Sequence, residues 1–186
     1  MKIEFTDIKK TDYAAVKQLY SAAFPREEQV PFWYPFEKRA SVNAAFLNIF
    51  DGHIRIGFIY LIFNHDILFI FYLAIDPGLH SKGYRGRGIT GIKNKYPGYR
   101  IFLNIEAVEG NAANRESRIK RKKFYTTNGF KESGYMFKQN GKLYEILING
   151  RVMSPGEFTD TIKRYLGIPL SLFFTPWVCK KAKDCI

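Results

Sequence analysis

The sequence predicts a mixed α/β domain with one central sheet flanked by helices. Three observations lead there. Segments with helical spacing of apolar residues alternate with short apolar runs of strand length. One run, "DILFIFYLAID", is apolar on both faces, as a central strand covered on both sides must be. Two pairs of runs are joined by strong hairpin turns, Asp51-Gly52 and Asn140-Gly141. The chain has 186 residues, enough for one globular domain or one domain with a small appendage, and 46% hydrophobic residues suffice for a core.

The polar opening "MKIEFTDIKK" lacks the apolar stretch of a secretory leader, and the first predicted element is a helix, "TDYAAVKQLYSAAF". Thr11 or Asp12 caps it, Val16, Leu19, Tyr20 and Ala23 make one apolar face, and Pro25 ends it. "PFWYPFEKRASV" is broken by proline and then helical. "AAFLNIFDGHIRIGFIYLIFN" reads as two strands around Asp51-Gly52, and "DILFIFYLAID" is the strand after them. A glycine-rich stretch, "GLHSKGYRGRGIT", leads into a helix towards Lys95, and Pro97-Gly98 is a turn. "YRIFLNIEA" is a strand. "NAANRESRIKRKKFYTTNGF" is a basic helix, capped near Asn111 or Asn114 and stopped by Asn128-Gly129. "GYMFKQNGKLYEILI" is a hairpin. "SPGEFTDTIKRYLG" is a helix with Ser154 before Pro155 and a glutamate at 157, the pattern of a capping box. The apolar segment "IPLSLFFTPWV" and a basic end follow. Residues 1–150 read as the main domain and 151–186 as a helical and apolar extension.

Net charge is +12, from 29 Lys+Arg against 17 Asp+Glu. That favours an anionic partner: nucleic acid, an anionic membrane surface or a polyphosphate cofactor. No apolar run reaches the ~20 residues of a membrane span. A nucleic-acid binder would need a continuous basic surface with stacking aromatics, whereas the aromatics here alternate in strands like core. Neither a membrane nor a nucleic-acid partner is therefore expected. Cys179 and Cys185 have no metal-ligand spacing and no partners elsewhere, as in a cytoplasmic protein with ordinary thiols. His53 and His65 look like loop residues, and no metal site is visible.

Two motifs carry a resemblance. One is "FYLAIDPGLHSKGYR", a strand followed by a glycine-rich turn; the other is "KKFYTTNGF", the end of the basic helix. In this order, about 40 residues apart, they resemble the GNAT superfamily of acetyl-CoA-dependent N-acetyltransferases, and the element order matches over about residues 1–150. The resemblance implies a central mixed, mostly antiparallel sheet flanked by helices. It implies acetyl-CoA as co-substrate and an amine acceptor, either a small molecule or a peptide.

The family pattern after its fourth strand is Arg/Gln-x-x-Gly-x-Gly/Ala. Two registers fit it here. One runs from His80 through Ser81, Lys82, Gly83 and Tyr84 to Arg85; the other is Arg85–Thr90, "RGRGIT". Loop length favours the first, because His80 lies three residues after Pro77 and the second inserts five residues. In the first, His80 replaces Arg/Gln and Arg85 replaces Gly/Ala. Gly86, Gly88 and Gly91 then fall inside the helix, each weakening it by about 1 kcal/mol relative to Ala, so a frayed or distorted first turn is expected. The composition suits a pyrophosphate, which needs close approach of backbone N–H groups at a helix N-terminus. Lys82, Arg85 and Arg87 add charge.

By the same resemblance the fourth strand splays from the fifth, and the main chain of Leu73, Ala74 and Ile75 pairs with pantetheine. The start of the basic helix flanks the cofactor, with Asn114 and Arg118, or Arg121, as expected contacts. Tyr125, four residues before Gly129-Phe130, matches the tyrosine that protonates the departing thiolate. The base is open: Glu28, with Glu27 beside it, follows the first helix where the family builds its amine pocket. Glu106 lies on the strand "LNIEA", where burial would raise its pKa. A water chain is the third option. The aromatics of "PFWYPF" either line an acceptor pocket or cover the sheet. With no cysteine near the motifs, direct transfer in a ternary complex is expected. The alternative is a non-catalytic acyl-CoA sensor of the same fold. The tail "PLSLFFTPWV" either covers the core or makes a homodimer contact.

Overall fold

The structure is a computed structural model that describes residues 3–41, 43–109, 114–167, 171, 176–180 and 184–185, with backbone alone at 39–41 and 80–82. Its elements in chain order are β1 (Ile3–Asp7), α1 (Tyr13–Ala23), α2 (Tyr34–Ser41), β2 (Ala44–Asp51), β3 (Ile54–Asn64), β4 (Ile67–Ile75), α3 (Tyr84–Lys95), β5 (Arg100–Glu106), α4 (Arg115–Thr127), β6 (Lys131–Gln139), β7 (Lys142–Asn149), α5 (Pro155–Leu166) and β8 (Val178–Cys179). The strands follow the order β1-β2-β3-β4-β5-β7-β6-β8. Among the pairings β4–β5 is parallel, while β1–β2, β2–β3, β5–β7, β6–β7 and β6–β8 are antiparallel. The expected mixed, mostly antiparallel sheet with flanking helices is present. Among the described residues no helix is long and apolar enough to cross a membrane.

β1 was not expected from the polar opening. Ile3 and Phe5 are half-buried, while Glu4 and Thr6 are exposed. A two-residue alternation this short is hidden among polar neighbours until β2 supplies its ladder.

The chain divides into two compact units. The first holds residues 1–63 and 70–97. Here the α3 glycines gain an explanation. A Cβ on Gly91 would sit 2.8 Å from Cε2 of Phe5, so the missing side chain leaves room for the β1 ring against the helix. Gly88 is buried, with Ile49 of β2 3.9 Å from where its Cβ would be. These glycines lower helix propensity but allow close helix-to-sheet packing. Contrary to the expected distortion, α3 is regular from Tyr84, with the Arg87 N–H donating to the Gly83 carbonyl at 3.1 Å.

The second unit holds residues 64–69 and 98–186. The segment read as an extension from residue 151 thus shares a unit with β5. Ile67–Phe69 of β4 pair with Arg100–Phe102 of β5. The Phe69 and Phe102 rings stack at 4.3 Å, and Phe158 of α5 lies 5.4 Å from Phe102. The predicted capping box is formed: the Ser154 side chain accepts from the Glu157 N–H, and Glu157 accepts from the Ser154 N–H. The other carboxylate oxygen of Glu157 meets Arg100 at 2.5 Å, and Arg100 also binds Asp66 through two nitrogens at 2.7 and 2.8 Å. The Asn140-Gly141 turn has both residues at positive φ, as a two-residue hairpin requires. Cys179 and Cys185, read as unpaired thiols, are joined to each other as a disulfide. Sequence spacing alone does not report that β8 brings the chain end back onto β6.

Candidate functional site

In the first unit the candidate phosphate loop is built directly on the end of β4. Ala74 and Ile75 are buried, and Leu73 is half-buried. The Asp76 carboxylate accepts from the Gly78 N–H at 2.8 Å and opens a 3-10 turn over Pro77–Lys82. His80, Ser81 and Lys82 lie in that turn; their side chains are outside the described residues. Gly83 follows with φ +69° and caps α3, so helical N–H groups begin at its C-terminal side. A Cβ at Gly83 would meet nothing within 4 Å. An anion approaching there meets main chain at the positive end of a helix dipole, which fits a pyrophosphate. The alternative stretch from Arg85 to Thr90 lies inside α3, where main-chain bonding starts with the Arg87 N–H on the Gly83 carbonyl.

Tyr84 anchors this helix start. Its hydroxyl donates to Asp51 Oδ2 at 2.8 Å, and the carboxylate beside it raises its pKa. The Arg87 guanidinium stacks 4.3 Å from the centre of the Tyr84 ring and 3.9 Å from Asp51. Tyr84 thus points its side chain at the β2–β3 turn. It contributes main chain to the loop. Arg85 is half-buried in the first turn.

The segment after α1 is tied to β4 by tyrosine hydroxyls. The Tyr72 hydroxyl donates to the Glu28 carbonyl at 2.7 Å and accepts from the Val30 N–H at 3.2 Å. The Tyr20 hydroxyl lies 3.1 Å from it and 3.0 Å from the Val30 carbonyl. Burial drives the Tyr72 pKa well up, so this hydroxyl stays protonated. Glu28 is half-buried, and its main chain receives this anchor. Close by, Gly57 of β3 is required by β4: a Cβ there would stand 2.1 Å from the Ala74 carbonyl oxygen.

In the second unit α4 docks through charge. Arg118 is buried: Nη1 donates to the Ala107 carbonyl at 2.8 Å, Nε to Asn114 Oδ1 at 2.8 Å, and Nη2 lies 3.5 Å from Glu106. Glu109 adds a fourth contact at 3.6 Å. The Asn114 Nδ2 donates to Glu106 at 3.3 Å, and Lys142 Nζ is 3.1 Å from the same carboxylate. The Arg118 guanidinium and the Asn114 amide, both expected as cofactor contacts, hold α4 to the end of β5 through these bonds. Asn114 is the N-cap residue of α4 but makes no side-chain capping bond; Asn111 lies outside the described residues.

One expectation, the raised pKa of Glu106, is corrected. Burial pushes its pKa up, but Lys142, Arg118 and Arg121 outweigh that and hold it below the usual carboxylate range. It is an ionised partner for cations, the opposite of the expected raised-pKa base. One helical turn beyond Arg118, Lys122 bridges Glu145 at 2.9 Å and Glu132 at 2.6 Å. Burial raises the pKa of Glu145 despite the lysine. Nothing in the local sequence marks Asp51, Tyr72 or Glu145, because their partners come from distant segments. Tyr125, on the last turns of α4, is half-buried, its ring 5.1 Å from Phe124 and 5.7 Å from Phe130.

No family model and no curated protein matches the sequence. Solved structures do match in fold. A GNAT-family protein from Bacteroides thetaiotaomicron, assigned as an acetyltransferase, superposes with a TM-score of 0.70 at 22% identity, covering 88% of this chain and 95% of its own. A variant of spermidine N-acetyltransferase from Vibrio cholerae has a TM-score of 0.61 at 13% identity, covering 79% and 92%. An aminoglycoside 6'-N-acetyltransferase complexed with coenzyme A has 0.63 at 15% identity, covering 83% and 99%. At these identities the likeness establishes architecture, and the chain has the fold of the GNAT acetyltransferases.

Proposed function

We propose that the protein is an acetyltransferase that moves the acetyl group of acetyl-CoA to a primary amine by direct transfer within a ternary complex. The observation that carries this reading is Gly83. In the GNAT fold, a residue without a side chain, at positive φ, joins the strand β4 to the N-terminus of α3. The pyrophosphate sits over residues 80–85 against main-chain N–H groups, and Arg85 and Arg87 add positive charge. Pantetheine pairs with the main chain of Leu73, Ala74 and Ile75.

The amine nitrogen attacks the thioester carbonyl carbon, the carbon–sulfur bond breaks, and the amine proton leaves through water. Tyr125 donates its phenolic proton to the thiolate. Glu106, ionised and paired, is set aside as the base, which leaves Glu28 or water alone. Calorimetric titration with acetyl-CoA, followed by thiol release with an amine panel, tests the reading. Binding with turnover is expected. Binding without turnover on any amine identifies an acyl-CoA-binding module, and absence of binding overturns both.

A further inference from the structure

We propose that Cys179 and Cys185 form a reversible redox clip that fastens the chain end to β6. The Cα atoms are 5.4 Å apart, inside the roughly 4.4–6.8 Å that a disulfide spans. Both residues are buried and pack with Ala107, Leu143 and Met136. Among the described residues β8 has two, paired as Met136↔Cys179 and Phe137↔Val178, and so short a ladder frays readily. Fraying gives solvent access to thiols that are otherwise covered. The reduced form is also accommodated: Cys179 Sγ lies 3.3 Å from the Met136 carbonyl oxygen, which can accept an S–H.

The oxidant is a low-molecular-weight disulfide. The thiolate of Cys185, nearer the chain end, attacks one of its sulfurs and displaces one thiol. Cys179 then attacks the mixed disulfide and displaces the second. The protein loses two protons and two electrons, and the reagent is reduced to two thiols. The state of the clip bears on a defined surface. Cys185 and Trp177 line a groove of about 280 Å³ with Lys138, Gln139, Asn140 and Gly141. Ala107, beneath the clip, donates its N–H to the Leu143 carbonyl and accepts from Arg118. Opening the clip therefore loosens the support of the residue on which α4 is fastened.

The test uses the purified full chain and does not involve acetyl-CoA, so its failure is separable from failure of the acetyltransferase reading. The protein is equilibrated with oxidised glutathione or with dithiothreitol, alkylated under denaturing conditions and weighed. In parallel, amide exchange is followed by mass spectrometry. Oxidised glutathione is expected to give a monomer about 2 Da lighter with no alkylatable thiol. Exchange across 136–143 and 176–180 should be at least about tenfold slower in the oxidised form, the signature of local unfolding suppressed. Cys179→Ser and Cys185→Ser should exchange at the fast rate in both buffers. Two alkylatable thiols after oxidation, a disulfide-linked dimer, or equal exchange in the two states would overturn the proposal.

Discussion

Replacing Gly83 separates backbone strain from ligand contact. Gly83 has φ +69°, where a residue with a Cβ is disfavoured by about 1–2 kcal/mol. A Cβ there meets nothing within 4 Å, so the unliganded protein bears that strain and no clash. For a chain of this size, Gly83→Ala should lower Tm by roughly 2–8 °C. Gly83→Asn should lose less, since asparagine tolerates the left-handed region. Strain is common to the free and bound forms and cancels from the acetyl-CoA affinity. A Cβ that holds the pyrophosphate off the main chain does not cancel. It removes a charge-assisted hydrogen bond of about 1.5–3 kcal/mol, roughly a tenfold to hundredfold rise in Kd. Both variants should therefore bind acetyl-CoA weakly by calorimetry, although their Tm values differ. Wild-type affinity in both folded variants would refute the placement of the pyrophosphate over Gly83.

Three further outcomes are expected. Tyr125→Phe keeps the ring contacts with Phe124 and Phe130 and should fold and bind acetyl-CoA normally, while kcat falls about 10²–10⁴-fold; a rate within a few-fold of wild type removes Tyr125 from the mechanism. Arg118→Ala takes one of the cations from the buried Glu106, which keeps Lys142 and the Asn114 amide, and should lose about 3 kcal/mol in denaturant unfolding, whereas acetyl-CoA affinity in the folded protein should stay unchanged, because Arg118 is spent on protein contacts. Arg100 holds the Glu157 carboxyl down to about 2, helped by the Ser154 N–H, and holds Asp66 below its usual value. A carboxyl depressed by folding adds stability that is full above its unfolded pKa, near 4.3 for Glu, and is lost as pH falls through the folded value. Unfolding free energy should thus decline between about pH 5 and pH 2, and Glu157→Gln should flatten that decline; an unchanged slope would show that the pair contributes nothing.

Local order was legible in the sequence wherever neighbours in the chain decide the structure. The apolar run of β4, the Asn140-Gly141 hairpin and the Ser154–Glu157 capping box each rest on residues within a few positions of one another. The glycine-rich stretch announced a tight approach, but its purpose was divided in a way that only packing reveals. Gly83 turns the chain into α3, whereas Gly91 makes room for Phe5, more than 80 positions away. Charge was read correctly as abundance and wrongly as availability. The fold places Arg118, Asn114 and Glu106 against each other, and the cations lower the Glu106 pKa that burial was expected to raise. A sequence states which groups ionise; it does not state the distance between them. Electrostatic energy and desolvation depend on that distance and on burial. For the same reason the pairing of Tyr72 with Glu28 and Val30, of Tyr84 with Asp51, and of the two cysteines was decided by tertiary structure alone.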